Sequence, residues 1–109
     1  MVWSSSIDLC RSIYQLTDTF PSNERWRLTD QLRRSAISVS SNIAEGAARG
    51  QAGDFSRFLR IAVGSLAEIQ SQLELANRLD LADRNKELEH EIEILRRRLL
   101  SLLRRVTAQ

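Results

Sequence analysis

Proline occurs once, glycine four times and cysteine once in 109 residues, so the chain is poor in the residues that punctuate tight turns. A sandwich or barrel built from many hairpins needs more of them. Cys10 stands alone and excludes an intrachain disulfide, and with His90 as the only histidine no usual zinc set can be assembled within one chain. That cysteine usage points to a reducing, cytoplasmic compartment. No apolar run approaches the roughly 18 residues of a membrane span, and Met1 to Asp8 lack the basic start and apolar stretch of a secretion signal. Neither membrane spanning nor secretion is indicated.

Lysine is almost absent too: fifteen of the sixteen basic residues are arginine, and Lys86 is the exception. Against 14 acids this leaves a net charge of +2, too little for a general polyanion sponge. What remains is rich in Leu, Arg and Ala, with Glu and Gln, all good helix formers. An apolar share of 42% supports one modest core, and the length fits a single domain over residues 1–109. Composition alone indicates an all-α protein.

Four helical stretches follow from the apolar periodicity. The first runs from about Trp3 to Asp18, with Ile7, Cys10, Ile13, Tyr14 and Thr17 at helical spacing, and Phe20-Pro21-Ser22-Asn23 ends it. Ser22 or Thr29 can cap the second helix, which carries Leu28, Leu32, Ala36, Val39, Ile43 and Ala47. Between Ser35 and Gly50 this helix is unusually small-sided, so a neighbouring backbone can approach closely there. Its serines compete for backbone hydrogen bonds, so tertiary packing must hold the segment helical.

Gly50 fits the left-handed cap that closes the second helix, and Gly50-Gln51-Ala52-Gly53 reads as a turn rather than a phosphate loop. The third helix then presents Phe55, Phe58, Leu59, Ala62, Leu66, Ile69, Leu73 and Ala76 as one stripe. A second seam, Ile61, Ser65, Glu68, Gln72, Leu75 and Leu79, has apolar ends and a polar centre. Such a seam fits a second packing partner, with polar residues fixing register; a solvated face with scattered leucines fits it as well. The fourth helix starts near Asp80 or Asp83 and repeats Leu88, Ile92, Leu95, Leu99, Leu102 and Val106. It is acidic early and basic late, a distribution that suits the helix macrodipole.

Chemistry-bearing motifs are scarce. Glu87-Leu88-Glu89-His90 is a Glu-x-x-His step, but the second copy that a di-iron bundle requires is missing. Cys10 has no basic partner in sequence and lies among apolar positions, which suits a small buried hydrophobe better than a nucleophile. The basic clusters remain: Arg33-Arg34, Arg49, and Arg96-Arg97-Arg98 with Arg104-Arg105. Arg97 and Arg104, and Arg98 and Arg105, are seven apart, so they form two adjacent rows on a helix. Those rows can face phosphates or can be a solvated flank paired with the acidic half of a neighbouring helix.

The run Leu32-Arg33-Arg34-Ser35-Ala36-Ile37-Ser38-Val39-Ser40-Ser41-Asn42-Ile43-Ala44-Glu45-Gly46, with Arg49-Gly50, Phe55, Phe58-Leu59, Ile61-Ala62, Gly64-Ser65-Leu66-Ala67-Glu68 and Gln72-Leu73-Glu74-Leu75-Ala76, resembles a bacterial family. Its members are four-helix bundle proteins encoded within intervening sequences of large-subunit ribosomal RNA genes, and relatives include the accessory variability determinants of diversity-generating retroelements. The resemblance runs from Trp3 into the fourth helix, where only the pattern matches. It implies an antiparallel up-and-down four-helix bundle assembled as a homopentameric ring, without catalytic activity, cofactor or small-molecule substrate. The accessory members bind a reverse transcriptase and nucleic acid, RNA or DNA, through basic surfaces. This chain departs from the family in having Ser40 where a proline is usual, and Gln51-Ala52-Gly53 where serine and two lysines are common.

Together these readings give two expectations about residues. Arg33, Arg34, Arg49, Arg97, Arg98, Arg104 and Arg105 are the candidates for nucleic-acid or partner binding. Asn42 and Glu45 on the second helix and Ser65, Glu68 and Gln72 on the third are expected to form a partly buried hydrogen-bond network that sets the bundle's register. The function expected is a non-enzymatic scaffold for RNA, a partner protein or both; the alternative is a helical adaptor that binds only proteins.

Overall fold

A computed structural model describes residues 1–109 and contains four helices and no strand: α1, Val2–Thr17; α2, Leu28–Arg49; α3, Ala52–Arg78; and α4, Lys86–Thr107. A single 3-10 turn, Ser22–Glu24, lies between α1 and α2. Each helix packs on two others, α1 on α2 and α4, and α3 on α2 and α4, so the diagonal pairs stay apart. Cross-helix bonds run in opposed register, Cys10 to Ala36 and Arg33 to Thr17 for α1 and α2, Ser12 to Glu91 and Ser5 to Arg98 for α1 and α4. The result is an antiparallel up-and-down bundle with extents of 46 × 24 × 19 Å.

Its core is a continuous column of apolar side chains. Leu9 and Ile13 come from α1, Leu32, Ala36 and Val39 from α2, Leu59, Ala62, Leu66 and Ile69 from α3, and Ile92, Leu95 and Leu99 from α4. The stripes expected for α3 and α4 are the ones buried, with Phe55, Leu73 and Leu102 half-buried at their margins. On α1 the expected stripe is buried at Ile13 and Thr17 and half-buried at Cys10, but not at its other two positions. Ile7 and Tyr14 are 42% and 39% exposed, and Ser6, Leu9, Ile13 and Thr17 face inward with Leu16 beside them. Both lines have helical spacing; the one holding Leu9 and Leu16 removes more apolar surface from water without a phenol to satisfy. Ala47, at the end of the α2 stripe, is also exposed.

The helix ends show where local chemistry decides. Neither Ser22 nor Thr29 caps α2, whose first turn follows Arg27 without a side-chain cap; Thr29 is buried instead. Gly50 closes α2 at φ +74°, the left-handed conformation that a side chain resists. α3 ends in a comparable cap made by Asp80 at φ +60°, with the Leu81 N–H donating to the Ala76 carbonyl at 2.9 Å. The chain needs four further residues before Asn85 caps α4, its Oδ1 accepting from the Leu88 N–H at 3.0 Å. α4 therefore begins beyond both Asp80 and Asp83.

The small-sided half of α2 lies against α3, the most extensive helix pair in the bundle. At Gly46 the approach is closest: a Cβ there would sit 2.7 Å from the Phe58 Cβ and 3.0 Å from the Phe55 Cδ1. This position needs glycine for lack of space, not for backbone freedom.

Candidate functional site

Two sets of polar side chains were open to functional interpretation, and the bundle treats them differently. Along the α2–α3 seam the Ser38 and Ser65 hydroxyls share a hydrogen bond at 2.8 Å, and the Asn42 amide donates to the Ser38 carbonyl at 2.7 Å and to its hydroxyl at 3.0 Å. One level further along, Gln72 Nε2 donates to Ser35 Oγ at 3.1 Å, and Gln72 Oε1 is buried without a partner. Glu45 instead accepts from Arg49 on its own helix at 3.2 Å, and Glu68 is exposed and bonds to nothing. At 100° per residue Glu68 is turned about 60° outward from Ser65, into water, while Glu45, close in angle to Ser38, is exposed a turn beyond Asn42 and taken by Arg49. The bonded set is thus Ser35, Ser38, Asn42, Ser65 and Gln72, without the two acids.

The arginines separate in the same way. Arg33 is tied down: its guanidinium contacts Asp18 at 2.8 Å and Thr17 at 2.9 Å and lies 4.3 Å from the centre of the Tyr14 ring. Arg34 pairs with Asp30 at 2.8 Å, Arg49 with Glu45 at 3.2 Å. Arg96 and Arg97 share Glu93, at 3.3 and 2.9 Å. The pairing that the α4 arginines find is therefore with their own helix, one turn back, not with the acidic half of a neighbour. Arg98 reaches only the Ser5 hydroxyl of α1, at 3.4 Å, and Arg104 and Arg105 are exposed in the last turn with no carboxylate in range. Of the seven candidates, Arg98, Arg104 and Arg105 on α4 are left without a counter-charge, Arg98 and Arg105 in one row and Arg104 in the other.

Apolar side chains also remain outside the core. Trp3, Ile7 and Tyr14 share the outer side of α1, and Ile61, Leu75 and Leu79 share the outer side of α3. Ile7 and Tyr14 of the first group come from the stripe that sequence spacing assigns to the core; the second group forms the ends of the second α3 seam. The turn before α2 adds Trp26, 79% exposed, which apolar periodicity does not reveal because it lies outside any helix. The signal for it is the Arg25-Trp26-Arg27 tripeptide itself, in a segment between Pro21 and Leu28 with no regular pattern.

Nothing in the fold prepares Cys10 or His90 for chemistry. Cys10 Sγ donates to the Ala36 carbonyl at 3.2 Å, and burial pushes its thiol above the ordinary range, a shift only partly offset by the neighbouring Ser40 hydroxyl. That is the reverse of what activates a nucleophile. His90 is exposed, and no three His, Cys, Asp or Glu side chains come together as a metal set would require. No helix is long and apolar enough to cross a membrane.

Comparison with known proteins agrees with this picture of the fold. A protein of unknown function from the S23 ribosomal protein family, from Bacteroides thetaiotaomicron, has a crystal structure that is similar at a TM-score of 0.81 and 24% identity, covering 94% of this chain and 98% of that one. That likeness concerns the arrangement of the helices. No curated protein sequence matches the chain. The family described as 23S rRNA-intervening sequence protein matches residues 1–101, which takes in all of α1, α2 and α3 and most of α4. The chain belongs to the 23S rRNA-intervening sequence protein family.

Proposed function

We propose that this protein is a non-enzymatic, oligomeric helical scaffold that binds RNA. The observation that carries the reading is the state of the arginines on α4. Residues 94–109 hold five arginines and no acid, and Arg98, Arg104 and Arg105 have no carboxylate partner. An arginine offers a planar fork of donors suited to phosphate, and a rigid helix holds three of them in fixed relation. The environment of Cys10 and the exposed, isolated His90 are consistent with a role that involves no catalysis.

An oligomer is supported by the two apolar faces, Trp3, Ile7 and Tyr14 on α1 and Ile61, Leu75 and Leu79 on α3. They are different surfaces on different helices, so docking one against the other in a second copy makes a heterologous contact, which closes into a ring when the rotation allows. That is the symmetry of the homopentamer that the family resemblance implies. A ring also repeats the unpaired arginines around its axis, so a monomer of small net charge builds a strongly basic face.

Two measurements test this together. Native mass is expected to be that of a pentamer, and fluorescence anisotropy with a structured RNA is expected to show micromolar or tighter binding that weakens steeply with salt. A pentamer that binds no RNA would leave a protein-only adaptor, in which Leu75, Leu79 and Leu100 rather than the arginines capture the partner. A reverse transcriptase would then be the first partner to try, because the family resemblance extends to the retroelement accessory proteins.

A further inference from the structure

The turn that leads into α2 has an unusual surface. Trp26 is 79% exposed, and the side chain over its ring is that of Arg25, whose guanidinium carbon lies 5.0 Å from the ring centre. Arg27, at the N-cap position of α2, follows it in the chain, and no second cation lies over the ring. Neither Arg25 nor Arg27 has a carboxylate partner, although three acids lie within a few residues. Asp18 is engaged by Arg33 and Asp30 by Arg34, both at 2.8 Å, and Glu24 is half-buried and outside any ion pair. The neighbouring Pro21, Ser22 and Asn23 are exposed, so the indole stands on a wet turn between two unpaired cations of the chain.

A tryptophan that anchors a protein interface sits inside a dry apolar patch, and burying two guanidinium groups around it without acids would be costly. An unpaired nucleic-acid base meets neither objection. Its π face stacks on the indole, and the phosphates on either side neutralise the arginines while water still reaches the rim. We infer that Arg25, Trp26 and Arg27 form a stacking site for an unpaired base of single-stranded RNA, with Trp26 taking the face of the base and the two guanidinium groups the adjacent phosphates. This rests on the RNA-binding reading above and adds the kind of RNA: one with an unpaired segment. The antiparallel order places this turn at the end of the bundle opposite the C-terminal arginines of α4, so the two contacts are separable by mutation.

Trp3 and Trp26 are the only tryptophans, so a Trp3→Phe protein of wild-type native mass and RNA affinity makes Trp26 its own reporter. Titrated with a labelled oligouridylate of about 12 nucleotides, its fluorescence is expected to be quenched in step with the rise in anisotropy, and a duplex of equal length is expected to quench it far less. In the otherwise unchanged full chain, Trp26→Ala is expected to weaken binding about tenfold or more without altering the salt slope, because stacking releases no counterions, and Trp26→Phe recovers part of the loss. Wild-type affinity in Trp26→Ala, or full anisotropy change with Trp26 unquenched, would overturn the stacking site and leave RNA binding standing. A drop in native mass on Trp26→Ala would also overturn it, by assigning the indole to contact between copies. Absence of any anisotropy change with every RNA tried would remove the RNA reading itself, and the stacking site with it.

Discussion

Between α2 and α3 the polar side chains largely find their partners inside the chain; on the last three turns of α4 three arginines find none. Ser38, Asn42 and Ser65 form one bonded group and Ser35 and Gln72 another, whereas Arg98 reaches a single hydroxyl and Arg104 and Arg105 reach nothing charged. The physical reason is what each segment has within reach. The α2–α3 seam is lined by small residues, so the backbones close up and hydroxyls and amides meet at bonding distance. The end of α4 has no acid one turn back, since its last glutamate, Glu93, is already shared by Arg96 and Arg97. Groups whose valences are filled within the chain specify the fold; groups left open are available to something outside it.

The closeness of α2 and α3 is the easiest part of this contrast to break. Gly46→Ala would place a Cβ 2.7 Å from the Phe58 Cβ, and separating the helices to admit it is expected to cost about 1–3 kcal/mol by thermal or urea unfolding. Gly64→Ala on α3, where an added Cβ meets nothing within 4 Å, is expected to have the opposite sign and stabilise by about 0.5–1 kcal/mol through helix propensity. Equal destabilisation by both would mean that glycine serves the seam through something other than space.

A smaller effect isolates the hydroxyl pair. In a double-mutant cycle of Ser38→Ala and Ser65→Ala, the coupling energy is expected to be about 1 kcal/mol, the net worth of one hydrogen bond. Glu68→Ala is expected to leave the melting temperature unchanged, since the exposed carboxylate makes no bond in the seam. A coupling near zero, or a clear loss with Glu68→Ala, would show that the bonded set has been drawn wrongly.

The smallest effect concerns the turn between α3 and α4, where Glu74 is paired with two arginines near the surface. Hydrogen bonds from Arg78 and Arg84 hold the Glu74 carboxyl below the usual carboxylate range. A folded-state value below that of the unfolded chain stabilises above the ordinary glutamate pKa of about 4.3 and is lost as pH falls through the folded value. Glu74→Gln is therefore expected to lower the melting temperature slightly at neutral pH and to leave it unchanged in acid below the folded value, so that the acid limb of the profile flattens. An identical acid limb in the variant would mean that this cluster does nothing for stability.

Much of this was legible in the sequence, and the exceptions have local causes. Helix number, the all-α class, the stripes of α3 and α4 and the Gly50 cap follow from periodicity and glycine placement, because those signals depend on one helix at a time. On α1 the sequence is right at Ile13 and Thr17 but not at Ile7 and Tyr14, because Ile7–Tyr14 and Leu9–Leu16 are equally helical and only the packed bundle chooses between them. Glu45 and Glu68 look like members of the seam because they recur with its spacing, yet Glu68 is turned about 60° from Ser65 into water and Glu45 is taken by Arg49 near the end of α2. The division among the arginines was hidden for a related reason. Arg33 meets its acid, Asp18, across two helices, and whether an arginine with an acid one turn back uses it depends on side-chain placement that composition does not carry.

The central claim is that the unpaired arginines, not basic charge in general, hold RNA. Two charge-matched variants test it: Arg98, Arg104 and Arg105 to Gln, and Arg34, Arg96 and Arg97 to Gln, each removing the same formal charge from the full chain at wild-type native mass. Salt-dependent anisotropy with one structured RNA is expected to show the logarithmic slope reduced by about two per subunit engaged in the first variant and hardly at all in the second. Equal losses in both, or none in either, would contradict the account.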